Sequence, residues 1–96
     1  MNRQREIEQL QAGITVGFRP VGNSMVPRIK SGQLVTFSPD ISNVEVGDIV
    51  LCKVNGNIMC HLVSAIQGGR YQISNNKGHV NGWTKKIYGK VVSVED

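Results

Sequence analysis

The chain has 96 residues, of which 40% are hydrophobic and 11 are glycine, and its formal net charge is +4. A chain of this length forms one small domain with a single modest core, which excludes a multidomain enzyme. No apolar run approaches the roughly 20 residues that cross a bilayer, and the charged start of the chain is unlike a secretory signal peptide. We therefore expect a cytoplasmic protein without a membrane anchor.

The apolar pattern predicts a mostly β chain. Residues 1–12 are expected to form a polar tail or a short helix, and residues 13–96 a single β domain. The predicted strands, in chain order, are Ile14–Arg19, Gln33–Ser38, Asp48–Val54, Asn57–Ile66, Arg70–Ser74 and Lys86–Val94. Pro20–Pro27 and Asn75–Gly82 are predicted to be irregular loops. Short strands separated by tight turns favour a compact, coiled β-sheet or an open barrel.

The dipeptide Asn55-Gly56 between two apolar runs is a strong hairpin signal. A two-residue turn there pairs Cys52 with Met59 and places Cys60 opposite Leu51. The two cysteines then point to opposite faces of the ribbon. We therefore predict two buried free thiols and no disulfide, as expected for a reducing compartment.

A bend that exposes a serine hydroxyl is the first candidate for chemistry. Ser24 lies within Gly22-Asn23-Ser24-Met25-Val26-Pro27, where small and turn-forming residues favour a loop. Such a bend leaves backbone N–H groups free to act as oxyanion donors. A nucleophilic serine also needs a base, and His61 is the candidate. A free imidazole is mostly neutral at pH 7, the form that accepts a proton.

Four ordered sequence boxes resemble those of the LexA-like repressor peptidases and the type I signal peptidases. The boxes are Ser24-Met25-Val26-Pro27, Gly47-Asp48-Ile49-Val50, Gly56–Val63 and Gly89-Lys90-Val91-Val92. The resemblance implies the β fold of the LexA C-terminal domain and of the signal peptidases. The position of the base is occupied by lysine in the LexA-like and bacterial enzymes. Here it is His61, as in the signal peptidases of the endoplasmic-reticulum type.

The resemblance also implies roles for individual residues. Ser24 and His61 would form a catalytic dyad, and the backbone N–H groups of Ser24 and Asn23 would bind the oxyanion. Asn75 or Asn76 would replace the acidic third member, although an Asn pair that merely favours a turn is the simpler interpretation. The predicted substrate groove comprises Met25, Pro27 and Met59. No metal and no cofactor is expected.

Three further polar residues have simpler structural interpretations. Asp48 follows a glycine and is predicted to cap a turn, with contact to His61 as the alternative. Lys53 should face away from His61 and is interpreted as a solvated strand lysine. His79 lies in a polar loop, where a surface role is expected.

An Ala12-Gly13 bond resembles the self-cleavage site of the LexA-like proteins, so self-processing is a further hypothesis.

Two main functions remain open at this point. The first is a serine peptidase that acts on an extended peptide or protein segment, and the second is a catalytically weak or inactive peptidase fold that binds such a segment. A third hypothesis invokes nucleic acid, because Arg70, Lys77, Lys85, Lys86 and Lys90 make the last third basic. A solvated basic surface is the simpler reading of that bias. By analogy, the small size suggests a phage or mobile-element accessory protein; the sequence makes no prediction of oligomeric state.

Overall fold

A computed structural model describes residues 1–96 as one short helix followed by seven strands. The elements are α1 (Gln4–Gln11), β1 (Val16–Phe18), β2 (Leu34–Ser38), β3 (Ile49–Val54), β4 (Asn57–Gln67), β5 (Arg70–Ser74), β6 (Val80–Thr84) and β7 (Ile87–Glu95). The predicted mostly β fold is therefore confirmed. No helix here has the length and apolar character needed to cross a bilayer.

The seven strands form one antiparallel sheet in the order β1-β2-β7-β3-β4-β5-β6. The last strand, β7, inserts between β2 and β3, so the C-terminal strand joins the N-terminal strand pair β1-β2 to the rest of the sheet. Register shifts interrupt four of the six strand pairs. Because such bulges bend and twist a strand, the sheet coils without closing, as the open form of the prediction requires.

Two clusters of buried side chains cover opposite faces of β3. Successive side chains of a strand alternate between faces, so Leu51 belongs to one cluster and Val50 and Cys52 to the other. The first core cluster contains Ile7, Leu10, Val16, Phe18, Met25, Ile29, Val35, Phe37, Leu51 and Cys60. The second core cluster contains Val44, Val50, Cys52, Val54, Val63, Ile73 and Ile87. Each face of the coiled sheet therefore has its own core.

Helix α1 is held by the first core cluster rather than by its intrinsic propensity. It has eight residues, too few to be stable alone. Ile7 and Leu10 lie on one side of it and are each only 3% exposed. Of the two predicted forms of this segment, a polar tail or a short helix, the structure shows the helix, packed against the first core cluster. At its end, the N–H groups of Ala12 and Gly13 donate to carbonyls of the last turn.

The β3–β4 hairpin has the predicted two-residue turn. Val54 pairs with Asn57, and Cys52 with Met59. Asn55 and Gly56 both adopt positive φ, 50° and 82°, as the turn type that matches strand twist requires. Cys52 and Cys60 are free and belong to different core clusters, so the predicted separation of the thiols is confirmed.

One predicted loop is partly wrong. The region Asn75–Gly82 was expected to be irregular, yet β6 begins at Val80. Gly82 allows this strand to run against the β3–β4 turn, since a Cβ there would lie 3.0 Å from Val54 Cγ1. The Asn55 amide also donates to the Asn81 carbonyl at 3.4 Å. A long-range contact, invisible in a local pattern, therefore orders this segment.

Candidate active site

Ser24 lies in the loop between β1 and β2, directly before a buried anchor. Met25 and Ile29 are 4% and 5% exposed and belong to the first core cluster. One helical turn joins them, because the Ile29 N–H donates to the Met25 carbonyl at 3.0 Å. The anchor fixes the backbone beside an exposed serine, which is the arrangement expected for an accessible nucleophile.

His61 lies on the long strand β4, opposite Val50, and is partly buried. The structure brings the predicted pair together: Ser24 Oγ and His61 Nε2 are 2.9 Å apart. This distance is that of a hydrogen bond between a hydroxyl and an imidazole nitrogen. The two residues are 37 positions apart in the chain, so the contact depends on the packing of the loop against the sheet.

The second imidazole nitrogen contacts Asn81 rather than the residues expected from the sequence. His61 Nδ1 lies 2.7 Å from Asn81 Oδ1. An amide oxygen only accepts, so Nδ1 carries the proton and donates it to this contact. In the neutral ring, Nε2 then has a free lone pair that accepts the Ser24 hydroxyl proton. Asn81 therefore selects the tautomer that a serine nucleophile needs.

A bulge in β6 turns Asn81 towards His61. Ser74 pairs with Val80 and Ile73 pairs with Gly82, so Asn81 is the extra residue with no partner across the ladder. Bulges re-aim side chains in this way and are common beside active sites. The sequence contains a signal, the turn-forming dipeptide Asn81-Gly82, but its composition equally fits the predicted irregular loop. No local rule tells such a dipeptide in a bulge from one in a loop.

Neither Asn75 nor Asn76 hydrogen-bonds His61, so the possible third member offered by the resemblance is wrong and the simpler turn interpretation holds for Asn75. Asn75 Oδ1 accepts from the N–H groups of Lys77 and His79 at 2.9 and 3.0 Å, so it stabilises a turn. Asn76 instead holds the serine loop. Its backbone N–H donates to the Ser24 carbonyl at 2.8 Å, and its side-chain amide donates to the Val26 carbonyl at 2.9 Å.

The backbone around Ser24 offers donors for an oxyanion. The N–H groups of Asn23 and Ser24, predicted for that role, donate to no other group of the chain. Gly22, one residue earlier, donates to the Ser31 hydroxyl at 3.3 Å. Free N–H groups beside a nucleophile are the usual components of an oxyanion hole.

A cavity of about 200 Å³, with seven hydrophobic residues among its twelve lining residues, opens beside the pair. Its lining residues are Met1, Pro20, Val21, Gly22, Ser24, Met25, Ile29, Lys30, Ile58, Met59, Cys60 and His61. Met25 and Met59 of the predicted groove are among them. Pro27 is exposed and does not line this cavity, so its place in the predicted groove is wrong. The cavity suits an apolar side chain placed next to the reacting carbonyl.

The remaining candidates have structural roles or none at this site. Asp48 caps a turn by accepting from the Glu45 N–H at 2.8 Å, and it pairs with Lys90 at 3.3 Å. Lys53 and His79 make no side-chain contact with Ser24 or His61. These placements follow the structural interpretations made from the sequence.

The cysteine thiols are not competing nucleophiles. Burial raises the pKa of both Cys52 and Cys60 to about 12. The thiolate is the reactive form, so both groups stay protonated and inert at neutral pH. Cys52 Sγ contacts the Met59 carbonyl at 3.6 Å, a weak bond across the hairpin.

Comparison with known proteins adds one finding to this geometry. A model of the family described as Peptidase S24-like matches residues 8–92, which is nearly the whole chain. The match includes Ser24, His61 and Asn81. No curated protein was found to match the chain.

Proposed function

Because the chain belongs to the Peptidase S24-like family, we propose that it is a serine peptidase whose catalytic residues are Ser24 and His61. The observation that carries this proposal is the 2.9 Å contact between Ser24 Oγ and His61 Nε2. Acyl transfer requires at least a nucleophile and a base within hydrogen-bonding distance, and a serine hydroxyl next to an oriented imidazole meets that requirement.

In the proposed mechanism, Ser24 Oγ attacks the scissile carbonyl while His61 Nε2 takes the hydroxyl proton. The backbone N–H groups of Ser24 and Asn23 stabilise the oxyanion of the tetrahedral intermediate. His61 then returns the proton to the leaving amine, and an acyl-enzyme on Ser24 remains. Water attacks this ester with His61 again acting as base, and Ser24 is regenerated.

Asn81 acts in this mechanism as a positioning residue. Its oxygen holds the Nδ1–H of His61 and keeps Nε2 free, at a separation of 2.7 Å. An amide carries no charge, so it stabilises imidazolium less than the aspartate of the common serine triads does. The proposed enzyme therefore has an oriented base of modest strength, and slow turnover is expected.

The proposed substrate is a segment of another protein rather than the Ala12-Gly13 bond. A substrate for such a site is extended, with an apolar side chain in the cavity beside Ser24. Ala12 and Gly13 instead end helix α1 with their N–H groups bonded to the last turn. Cleavage there would require the docked helix to unwind.

Covalent labelling tests the proposal without a known substrate. A fluorophosphonate probe is expected to add to Ser24, and intact-mass and peptide mass spectrometry would locate the adduct. Ser24→Ala and His61→Ala are expected to abolish labelling, while Ser42→Ala, a surface serine that bonds only Asp40, should label normally. The unlabelled wild-type protein is expected to cleave proteins in a denatured mixture, and the labelled protein is expected to have lost this activity.

The competing function is a peptidase fold that binds an extended segment without cutting it. It predicts no adduct at Ser24 and no cleavage products, together with partner binding that survives both Ser24→Ala and His61→Ala. That combination of results would refute the peptidase proposal and favour the binding module.

A further inference from the structure

A second cavity, of about 630 Å³, has neither Ser24 nor His61 in its lining. The basic groove, as we call it, is formed by the β3–β4 turn, the start of β5 and the β6–β7 connection. Its lining residues are Lys53, Asn55, Gly56, Arg70, Trp83, Thr84, Lys85 and Lys86. It shares no lining residue with the cavity beside Ser24.

Backbone contacts hold the lysines of the basic groove next to one another. The buried Thr84 hydroxyl donates to the Lys53 carbonyl at 2.6 Å and accepts from the Lys86 N–H at 2.9 Å. The Lys53 N–H donates to the Lys86 carbonyl at 3.0 Å. Lys53 of β3 and Lys86 of the β6–β7 connection are thus fixed as neighbours.

The four cationic side chains of the basic groove have no acidic partner. The two ion pairs of the chain, Arg3–Glu6 and Lys90–Asp48, lie elsewhere, and no Asp or Glu lines this cavity. Neighbouring like charges repel each other, so the fold maintains a positive potential here at some cost in stability. An anionic ligand would relieve that repulsion.

Trp83 lies exposed among these cations. It is 41% accessible and belongs to the edge strand β6. An indole exposed in this way presents a flat aromatic surface that a ligand can stack on. Aromatic faces combined with cations are the features by which proteins bind single-stranded nucleic acid, because every base has a face that stacks.

We propose that the basic groove binds single-stranded nucleic acid, with phosphates against Lys53, Arg70, Lys85 and Lys86 and a base stacked on Trp83. The stacking surface favours nucleic acid over an acidic protein segment, which would use the charges but not the indole. This groove shares no lining residue with the cavity beside Ser24, although its Asn55 amide donates to the Asn81 carbonyl at 3.4 Å. The residues also differ from the sequence-based basic set, since Lys90 is paired with Asp48 and Lys77 lies in the Asn75–His79 turn.

Trp83 is the only tryptophan of the chain, so its fluorescence reports on the groove directly. Titration with a dT12 oligonucleotide at low salt is expected to quench it. If all four cations contact phosphates, log Kobs should fall with log salt with a slope of about −2.8, from about −0.7 for each contact with a single strand. Ser24→Ala should bind equally well, which separates this proposal from the catalytic one.

Variants locate the binding, with circular dichroism to verify folding. Lys85→Gln/Lys86→Gln should reduce the slope by about 1.4, whereas Lys30→Gln/Lys77→Gln, which removes the same charge elsewhere, should leave it largely unchanged. Trp83→Leu should weaken binding by about 5- to 150-fold, the loss expected for one stacked base, measured by anisotropy of a labelled oligonucleotide.

Three results would overturn the proposal. One is the absence of salt-dependent binding of dT12. Another is equal loss of affinity in the groove variant and its charge-matched control, which would indicate attraction to net charge alone. The third is binding of a 12-residue polyglutamate peptide as tightly as dT12, which would make the groove a site for acidic protein segments.

Discussion

Replacement of Asn81 is the most direct test of how His61 is oriented. Asn81→Ala removes the acceptor that lies 2.7 Å from His61 Nδ1. A neutral hydrogen bond contributes about 0.5–1.5 kcal/mol, which corresponds to about 2- to 13-fold in rate. Loss of the tautomer preference adds to this, because part of the population would then present Nε2–H to Ser24. We therefore expect labelling of Ser24 by a fluorophosphonate to slow by about 5- to 50-fold.

Asn81→Asp changes the same contact in the opposite direction. A carboxylate keeps the tautomer and also stabilises imidazolium, which forms as Ser24 attacks. A charge-assisted bond exceeds a neutral one by about 1 kcal/mol or more, so labelling at alkaline pH should accelerate by about fivefold or more. Because the carboxylate favours the protonated ring, the acidic limb of the pH–rate profile should move to higher pH.

Two measurements decide this prediction. Labelling rates across pH 5–9 would be compared for wild type, both Asn81 variants and Asn57→Ala, a control that removes an exposed amide from the strand of His61. Nitrogen-15 NMR of the imidazole would report the tautomer without any probe. If both Asn81 variants retain the rate, pH profile and tautomer of wild type, as the control should, then Asn81 does not orient His61.

Two further predictions concern the two cores. Gly89→Ala should destabilise the protein by about 1–3 kcal/mol, because a Cβ there would lie 3.0 Å from both Leu10 methyl groups. Gly17→Ala should be tolerated, because the nearest atom to a Cβ there is 3.4 Å away. Equal urea-unfolding midpoints for the two variants would contradict this prediction. Burial raises the pKa of Cys52 and Cys60 from 9.0 to about 12, so iodoacetamide at pH 8 should alkylate them only in urea. Rapid alkylation of the native protein would disprove this protection. As pH rises, the thiols of the unfolded chain lose their protons at lower pH than those of the folded protein. The free energy of unfolding should therefore fall between about pH 9 and pH 12.

Local rules were sufficient for the parts of the fold that depend on neighbours in sequence. The register of the β3–β4 hairpin follows from Asn55-Gly56, because only residues that tolerate positive φ fit its two-residue turn. Alternation of apolar residues located most strands within one or two positions. The first strand was predicted too long, since Ile14 is exposed and only Val16 and Phe18 reach the core.

The site was predictable only where the family pattern covers it. The ordered boxes suggested Ser24 and His61, and the structure places the two side chains in contact. The role of Asn81 could not be predicted from the sequence, because it depends on a bulge in β6 whose pairing with β5 is set by tertiary packing. Lys53 is interpreted from the sequence as a solvated strand lysine, and its proximity to Lys86 could not be predicted because it arises from the insertion of β7 beside β3.

The distribution of the contacts along the chain has a consequence for folding. Ser24, His61 and Asn81 come from a loop, a central strand and an edge strand, and Asn76 holds the serine loop from 50 residues away. Such non-local contacts form late, after the loops between them have closed. A partly folded chain with only the β3–β4 hairpin in place would carry His61 without either partner. On the proposed mechanism, labelling of Ser24 would therefore report only those molecules in which the last strands have joined the sheet.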